Sequence, residues 1–202
     1  MEIDNMSYVK SLAEAVELKC DPTGNHLKRV KLLSVSLARM FNVHFQDKLI
    51  GLTASLHDIG KVGIPDNILL KPGRLDKDEF EIMKSHTVIG YNILKDSESN
   101  TLKEGAAIAL SHHENYDGSG YPNGLKGDSI PLSGRITKVA DVFDALINKR
   151  IYKPAYTLEE TLRIMKDEMK PGAAFDPDCF DAFLKGLDEI LDIRRKIDEE
   201  NS

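Results

Sequence analysis

Residues 51–60 read GLTASLHDIG. Leu49, Leu52, Ala54 and Leu56 place apolar side chains ahead of His57 and Asp58 in a pattern that predicts a helix ending near Gly60, since glycine commonly closes helices. An imidazole and a carboxylate at the end of an apolar helix are expected near the interior. A buried carboxylate is costly unless it is paired or bound to a metal. A helix C-terminus also favours cations over anions. A metal ion beside His57 and Asp58 removes both conflicts.

The same donor types recur on either side. His86 lies in KSHTVIGY, 84–91, and the tandem His112-His113 in SHHENYDGSGYP, 111–122. His26 lies upstream, and Asp141 sits among apolar neighbours in RITKVADVFDAL, 135–146. The chain has six histidines, and only His44, beside a helix end in FNVHFQDK, is left out of the set. Histidine is a preferred transition-metal ligand, and aspartate bridges two such ions. Mixed imidazole and carboxylate ligation favours Fe, Mn, Zn or Co over Ca or Mg. The lack of cysteine ligands argues against a structural zinc site. Adjacent residues on a helix point about 100° apart. His112 and His113 therefore serve one ion only if the helix end distorts; otherwise one of them serves a second metal or a phosphate. Asp144, one turn after Asp141, is expected to orient a ligand from behind. The set points to a polynuclear hydrolytic centre.

Helical spacing recurs along the rest of the chain. Val9, Leu12, Ala13 and Val16 form one stripe, and Val30, Leu33, Leu37 and Phe41 another. Residues 79–94 are predicted helical, with Phe80, Met83, Val88 and Ile93 as the apolar positions. Helices are also predicted at 102–112, 136–147, 158–169 and 177–197, the last with Phe180, Phe183, Leu184, Leu187 and Leu191 inward. Residues 117–131 hold Gly118, Gly120, Pro122, Gly124, Gly127 and Pro131, so they read as a loop. IRRKIDEENS at the end reads as a solvated, fraying terminus. Strand signals are weak. The fold class is all-α, one domain over 1–202 with its core at about 10–185.

The net charge of −6 argues against general affinity for nucleic acid. No apolar run of about 18 residues suggests a membrane span, and the N-terminus has no signal pattern. The expected compartment is the cytoplasm. Cys20 and Cys179 form no CxxC pair and read as two reduced thiols. The stripe from Val9 to Val16 is read as packing on the chain's own core, with a homodimer surface as the alternative.

At these residues the chain resembles the HD-GYP family, a branch of the HD-domain metal-dependent phosphohydrolases. HDIGKVGIPDNILLKPGRL, 57–75, and HHENYDGSGYPNGLKGDSIPL, 112–132, carry the likeness. RITKVADVFDAL, RIYKPA at 150–155 and GAAFDP at 172–177 continue it. The resemblance covers roughly 10–185. It implies an all-α core with a two- or three-metal centre that hydrolyses cyclic di-GMP to linear pGpG and often on to GMP. By motif position it makes His26, His57, Asp58, His86, His112, His113 and Asp141 metal ligands, with Asp58 the bridge. It makes Lys61 a contact to substrate phosphate, places Tyr121 near the nucleotide, and makes Arg150 and Lys153 holders of phosphate or guanine. Members with three metals resemble one another in a Glu four residues before the first His. Here that position is Pro22, with Asp21 one residue out of register, so two ions, Fe or Mn, are expected. Two such ions sharing a water would generate hydroxide near neutral pH for attack on the phosphodiester.

Rival readings are a phosphohydrolase for another cyclic or linear dinucleotide, a nucleotide-sensing module with little turnover, and a di-iron redox sensor. Such domains often follow a receiver or sensory domain. This chain is read either as a stand-alone enzyme or as a piece of a longer protein.

Overall fold

The computed structural model describes residues 2–20, 24–41, 47–148 and 155–200. Within them the chain is helical without strands, as expected, apart from an isolated bridge between Pro171 and Phe175. In order come α1 (Glu2–Cys20), α2 (Asn25–Met40) and α3 (Asp47–Ala54), then a 3₁₀ turn, Ile59–Gly63. After it run α4 (Asp66–Leu69), α5 (Lys77–Lys84), α6 (His86–Leu94), α7 (Asn100–Ser111) and α8 (Leu132–Ile147). The chain closes with α9 (Leu158–Arg163), a π-helical turn at Ile164–Met169, α10 (Pro177–Lys185) and α11 (Leu187–Glu200).

α2 is the central helix, packed on α3, α8 and α11. Its Val30, Leu33 and Leu37 join Ile50, Ile136, Val139 and Phe143 in the largest core cluster. Phe143 and Phe183 pair there with ring centroids 5.0 Å apart, and Phe175 and Phe180 at 5.6 Å. Such pairs add about 1 kcal/mol beyond the area they bury. A second cluster links Ala13 of α1 to Leu27, Leu56, Ile59, Leu94, Leu102 and Ala106. His26, His57 and Asp58 stand next in sequence to members of this second cluster, so the centre grows from its edge.

Several predicted boundaries move, each for a local reason. The helix expected to run to Gly60 stops at Ala54, and the chain tightens into successive turns. The amides of Leu56, His57 and Ile59 each bond the carbonyl three residues back, while Ser55 Oγ donates to Leu52 O. Gly60 is not a helix cap. A Cβ there would lie 1.9 Å from the His86 carbonyl oxygen and 2.4 Å from Gly90 N, so the glycine lets α6 approach. The predicted helix 79–94 is two helices broken at Ser85, and Phe80, Val88 and Ile93, expected inside, are exposed. The buried face of α6 is His86, Thr87, Gly90 and Leu94. The predicted helix 177–197 breaks at Gly186, where a Cβ would meet Met40 Cε at 1.8 Å. Leu184, expected inside, is exposed. The terminus expected to fray is docked, since Ile197 is buried and Asp198 lies 3.6 Å from Arg29. Of the α1 stripe, Ala13 and Val16 are buried and Leu12 is exposed. Neither cysteine is in a disulfide.

Candidate metal centre

Four buried histidines turn the same ring edge inward because each is tethered by the other. His57 Nδ1 donates to Ala54 O at 2.8 Å, and His86 Nδ1 to Met83 O at 2.7 Å. His112 Nδ1 shares Ile108 O and Ala109 O at 3.1 Å each, and His26 Nδ1 meets Asp144 Oδ2 at 2.7 Å. A partner at Nδ1 sets the tautomer and leaves the Nε2 lone pair toward the centre. The first three tethers are carbonyls three or four residues back, so the local turn itself aims each ring.

Asp58 stands between two groups of donors. Its Oδ1 faces His86 Nε2 at 3.3 Å and His112 Nε2 at 3.9 Å. Its Oδ2 faces His57 Nε2 at 3.1 Å and the Lys61 ammonium at 2.5 Å. One group comprises Asp58, His86, His112 and His113, and the other His26, His57 and Asp58; within each, the donor atoms lie within 4.8 Å of one another. Asp141 joins the second group, its Oδ1 3.4 Å from His26 Nε2 and 3.8 Å from His57 Nε2. His57 Nε2 and Asp58 Oδ1 are sealed from solvent and make no hydrogen bond among the described residues. Buried donors of that kind are what a cation satisfies. The buried cluster fits a divalent metal site in its chemistry as well, being imidazoles around a carboxylate.

The charges support that reading. Burial favours neutral His57, but the adjacent Asp58 carboxylate outweighs it and lifts the His57 pKa to about 9. Burial also opposes charge on Asp58, yet Lys61 and His57 hold it well below the usual carboxylate range. Burial pushes His86, His112 and His113 down, His112 to about 3, so these rings are neutral at pH 7, the form that ligates.

Seven expected ligands are thus brought together. Tyr121 stacks on His113, with centroids 4.8 Å apart and planes at 24°, and meets Phe80 edge-on. Lys61 rests on Asp58 itself. Arg150, Lys153, Pro22, Asp21 and His44 lie outside the described residues. Asp144 plays the orienting role expected of it, and Arg29 and Asn148, which sequence reading missed, hold it in turn. Glu114 was also missed. It is buried, and its carboxylate accepts Asn123 N at 2.8 Å and Leu125 N at 3.1 Å, closing the glycine-rich loop beside the histidine pair. Its place directly after His113, ahead of a loop full of glycine amides, was the available signal.

The fold and the cluster define a helical protein whose buried histidine and aspartate cluster fits a divalent metal. The chain belongs to the HD domain family, whose model matches residues 10–179. It is 50% identical over 184 residues to a cyclic di-GMP phosphodiesterase of Thermotoga maritima, covering 89% of this chain and 49% of the relative. It is 44% identical to the cyclic di-GMP phosphodiesterase response regulator RpfG of Xanthomonas campestris, covering 90% and 48%. A 3'3'-cGAMP-specific phosphodiesterase of Vibrio cholerae is 43% identical, covering 94% and 36%. The chain thus spans about half the length of the first two and about a third of the last. The crystal structure of a cyclic GMP-AMP-specific phosphodiesterase of V. cholerae superposes with a TM-score of 0.70 over 95% of this chain and 52% of the other, at 18% identity. That likeness shows the fold. No helix among the described residues is long and apolar enough to cross a membrane.

Proposed function

We propose that this chain is a phosphodiesterase that opens cyclic di-GMP to linear pGpG, and on to GMP, at a centre of two Fe or Mn ions. The observation that carries the reading is Asp58, whose two carboxylate oxygens turn to separate groups of histidines. The likeness to relatives named for cyclic di-GMP supports the substrate.

When bound, divalent ions activate a water near neutral pH and offset charge on phosphoryl oxygens. The side chains do the rest. Asp58 would be shared between the ions, with His86, His112 and His113 holding one and His26, His57 and Asp141 the other. The backbone tethers and Asp144 hold the imidazoles in aim. His57 would hold an ion as the neutral ring, its proton released to solvent. Lys61 has three donors, enough to keep Asp58 and grip a phosphoryl oxygen as charge develops. Tyr121 braces His113 and is placed near the nucleotide by motif position. Arg150 and Lys153, assigned by motif position, hold the second phosphate or a guanine edge. We take residues 1–202 as one catalytic domain, regulated by a sensory or receiver segment in a protein of the relatives' length.

Protein of measured Fe or Mn content, incubated with cyclic di-GMP and pGpG and followed by chromatography, tests this. Metal-dependent release of pGpG supports it; failure to cut either nucleotide at full metal loading sinks it. The second reading, hydrolysis of 3'3'-cGAMP, is favoured by the 43% identical relative. Higher kcat/KM for that nucleotide in the same panel selects it.

A further inference from the structure

Lys138 is a buried lysine that the proposed reaction leaves unused. It lies on α8 one turn before Asp141, and residues three apart share a helix face. Only 7% of the residue is exposed, among Ile136, Val139 and Ala140, which are buried completely or nearly so. Its Nζ still touches solvent, unlike Thr137 Oγ1 beside it. Among the described residues this ammonium makes no hydrogen bond and no ion pair. The carboxylates that act most on its charge are Asp141, Glu114 and Asp117. Glu114 is committed to the amides of Asn123 and Leu125, Asp117 to Ser119 N, and Asp141 faces His26 and His57. A buried ammonium without a partner is costly, and an apolar residue would pack this position better. Its place beside a metal cluster, with a tip reaching solvent, fits an anion brought by the substrate.

We propose that Lys138 is a substrate-contacting residue that binds a phosphate oxygen of the phosphodiester held at the centre. This rests on the phosphodiesterase reading, so the test separates the two. Wild type, Lys138→Met and Lys138→Arg, all as the full chain, are loaded with Mn and their metal content measured. Binding of inorganic phosphate is followed by calorimetry, which needs no turnover. KM and kcat are then measured with cyclic di-GMP and with bis(p-nitrophenyl) phosphate.

A charge-assisted hydrogen bond implies about tenfold weaker phosphate binding, and a similar rise in KM, for Lys138→Met at unchanged metal content, with recovery in Lys138→Arg. Equal phosphate affinity in wild type and Lys138→Met overturns the proposal, as does loss of metal from that variant. Lys138→Gln is read the same way if Lys138→Met does not fold. Wild type that cleaves neither substrate removes the phosphodiesterase reading, and the phosphate arm still decides Lys138.

Discussion

Gly60→Ala tests whether the close approach of α6 to the Ile59–Gly63 turn sets the metal centre. The added Cβ falls 1.9 Å from His86 O, 2.4 Å from Gly90 N and 2.9 Å from His86 C. All three are backbone atoms, so no side-chain rotation relieves the overlap. Ordinary contact lies near 3.5 Å, so the turn and α6 must part by roughly 1.5 Å. Asp58 is two residues before Gly60, and His86 is itself a donor whose Nε2 lies 3.3 Å from Asp58 Oδ1. Metal–ligand distances tolerate about 0.2 Å. The shift therefore takes His86 out of reach of an ion on Asp58. Forced overpacking costs about 3 kcal/mol at the upper end of its usual range, or roughly 6–12 °C in Tm for a chain of this size. We expect Gly60→Ala to keep its helical circular dichroism, melt lower by that amount and lose one metal equivalent by elemental analysis. Gly63→Ala, whose Cβ meets only the flexible Ile89 side chain at 3.0 Å, should cost less and keep its metal. A Gly60→Ala protein with full metal content and wild-type melting refutes the argument.

Asp144→Asn should lower metal affinity about 10- to 100-fold, since it weakens the tether on His26 and leaves Arg29 without its carboxylate; titration against a competing chelator measures it. Glu114→Ala should destabilise by about 1–3 kcal/mol by stranding the amides of Asn123 and Leu125, and limited proteolysis should then cut within 117–131; an uncut loop counts against that. In metal-free protein the His57 pKa is raised from 6.5 to about 9, so its contribution is complete below 6.5 and lost as pH rises through 9. That amounts to about 3 kcal/mol, and urea midpoints of wild type minus His57→Gln should shrink across the window. Lys138 has the opposite sense, its pKa lowered by burial to about 8. Lys138→Met should therefore be more stable than wild type by about 3 kcal/mol below pH 8, with the gap closing toward pH 10.5. A variant less stable than wild type at pH 7 contradicts that.

What the sequence disclosed about the fold and the centre was whatever leaves a local trace. Helical spacing gave the class, and the donor types at His57-Asp58, His86 and His112-His113, with His26 and Asp141, gave the set that meets around Asp58. The helix breaks at Ser85 and Gly186 did not show, because the periodicity continues across both. At Gly186 and Gly60 the cause is another segment pressing on the backbone. Val88 and Ile93 have helical spacing yet face outward, because the break at Ser85 gives α6 its own buried face of His86, Thr87, Gly90 and Leu94, and Phe80 lies on α5, which buries no residue. Arg29, Asn148 and Lys138 carry no local mark at all, since each acquires its meaning from a neighbour across the helix packing.

The Nδ1 tethers and Asp58 have a consequence for the life of the protein. The donors run from His26 to Asp141, more than half the length of the chain, and come from α2, the turn after α3, α6, α7 and α8. An ion seated there clips together segments whose closure otherwise costs conformational entropy that grows with separation. On the proposed metal reading, metal supply would set how much folded protein is kept. Starvation for the ion should appear as faster degradation of the chain before any substrate is considered.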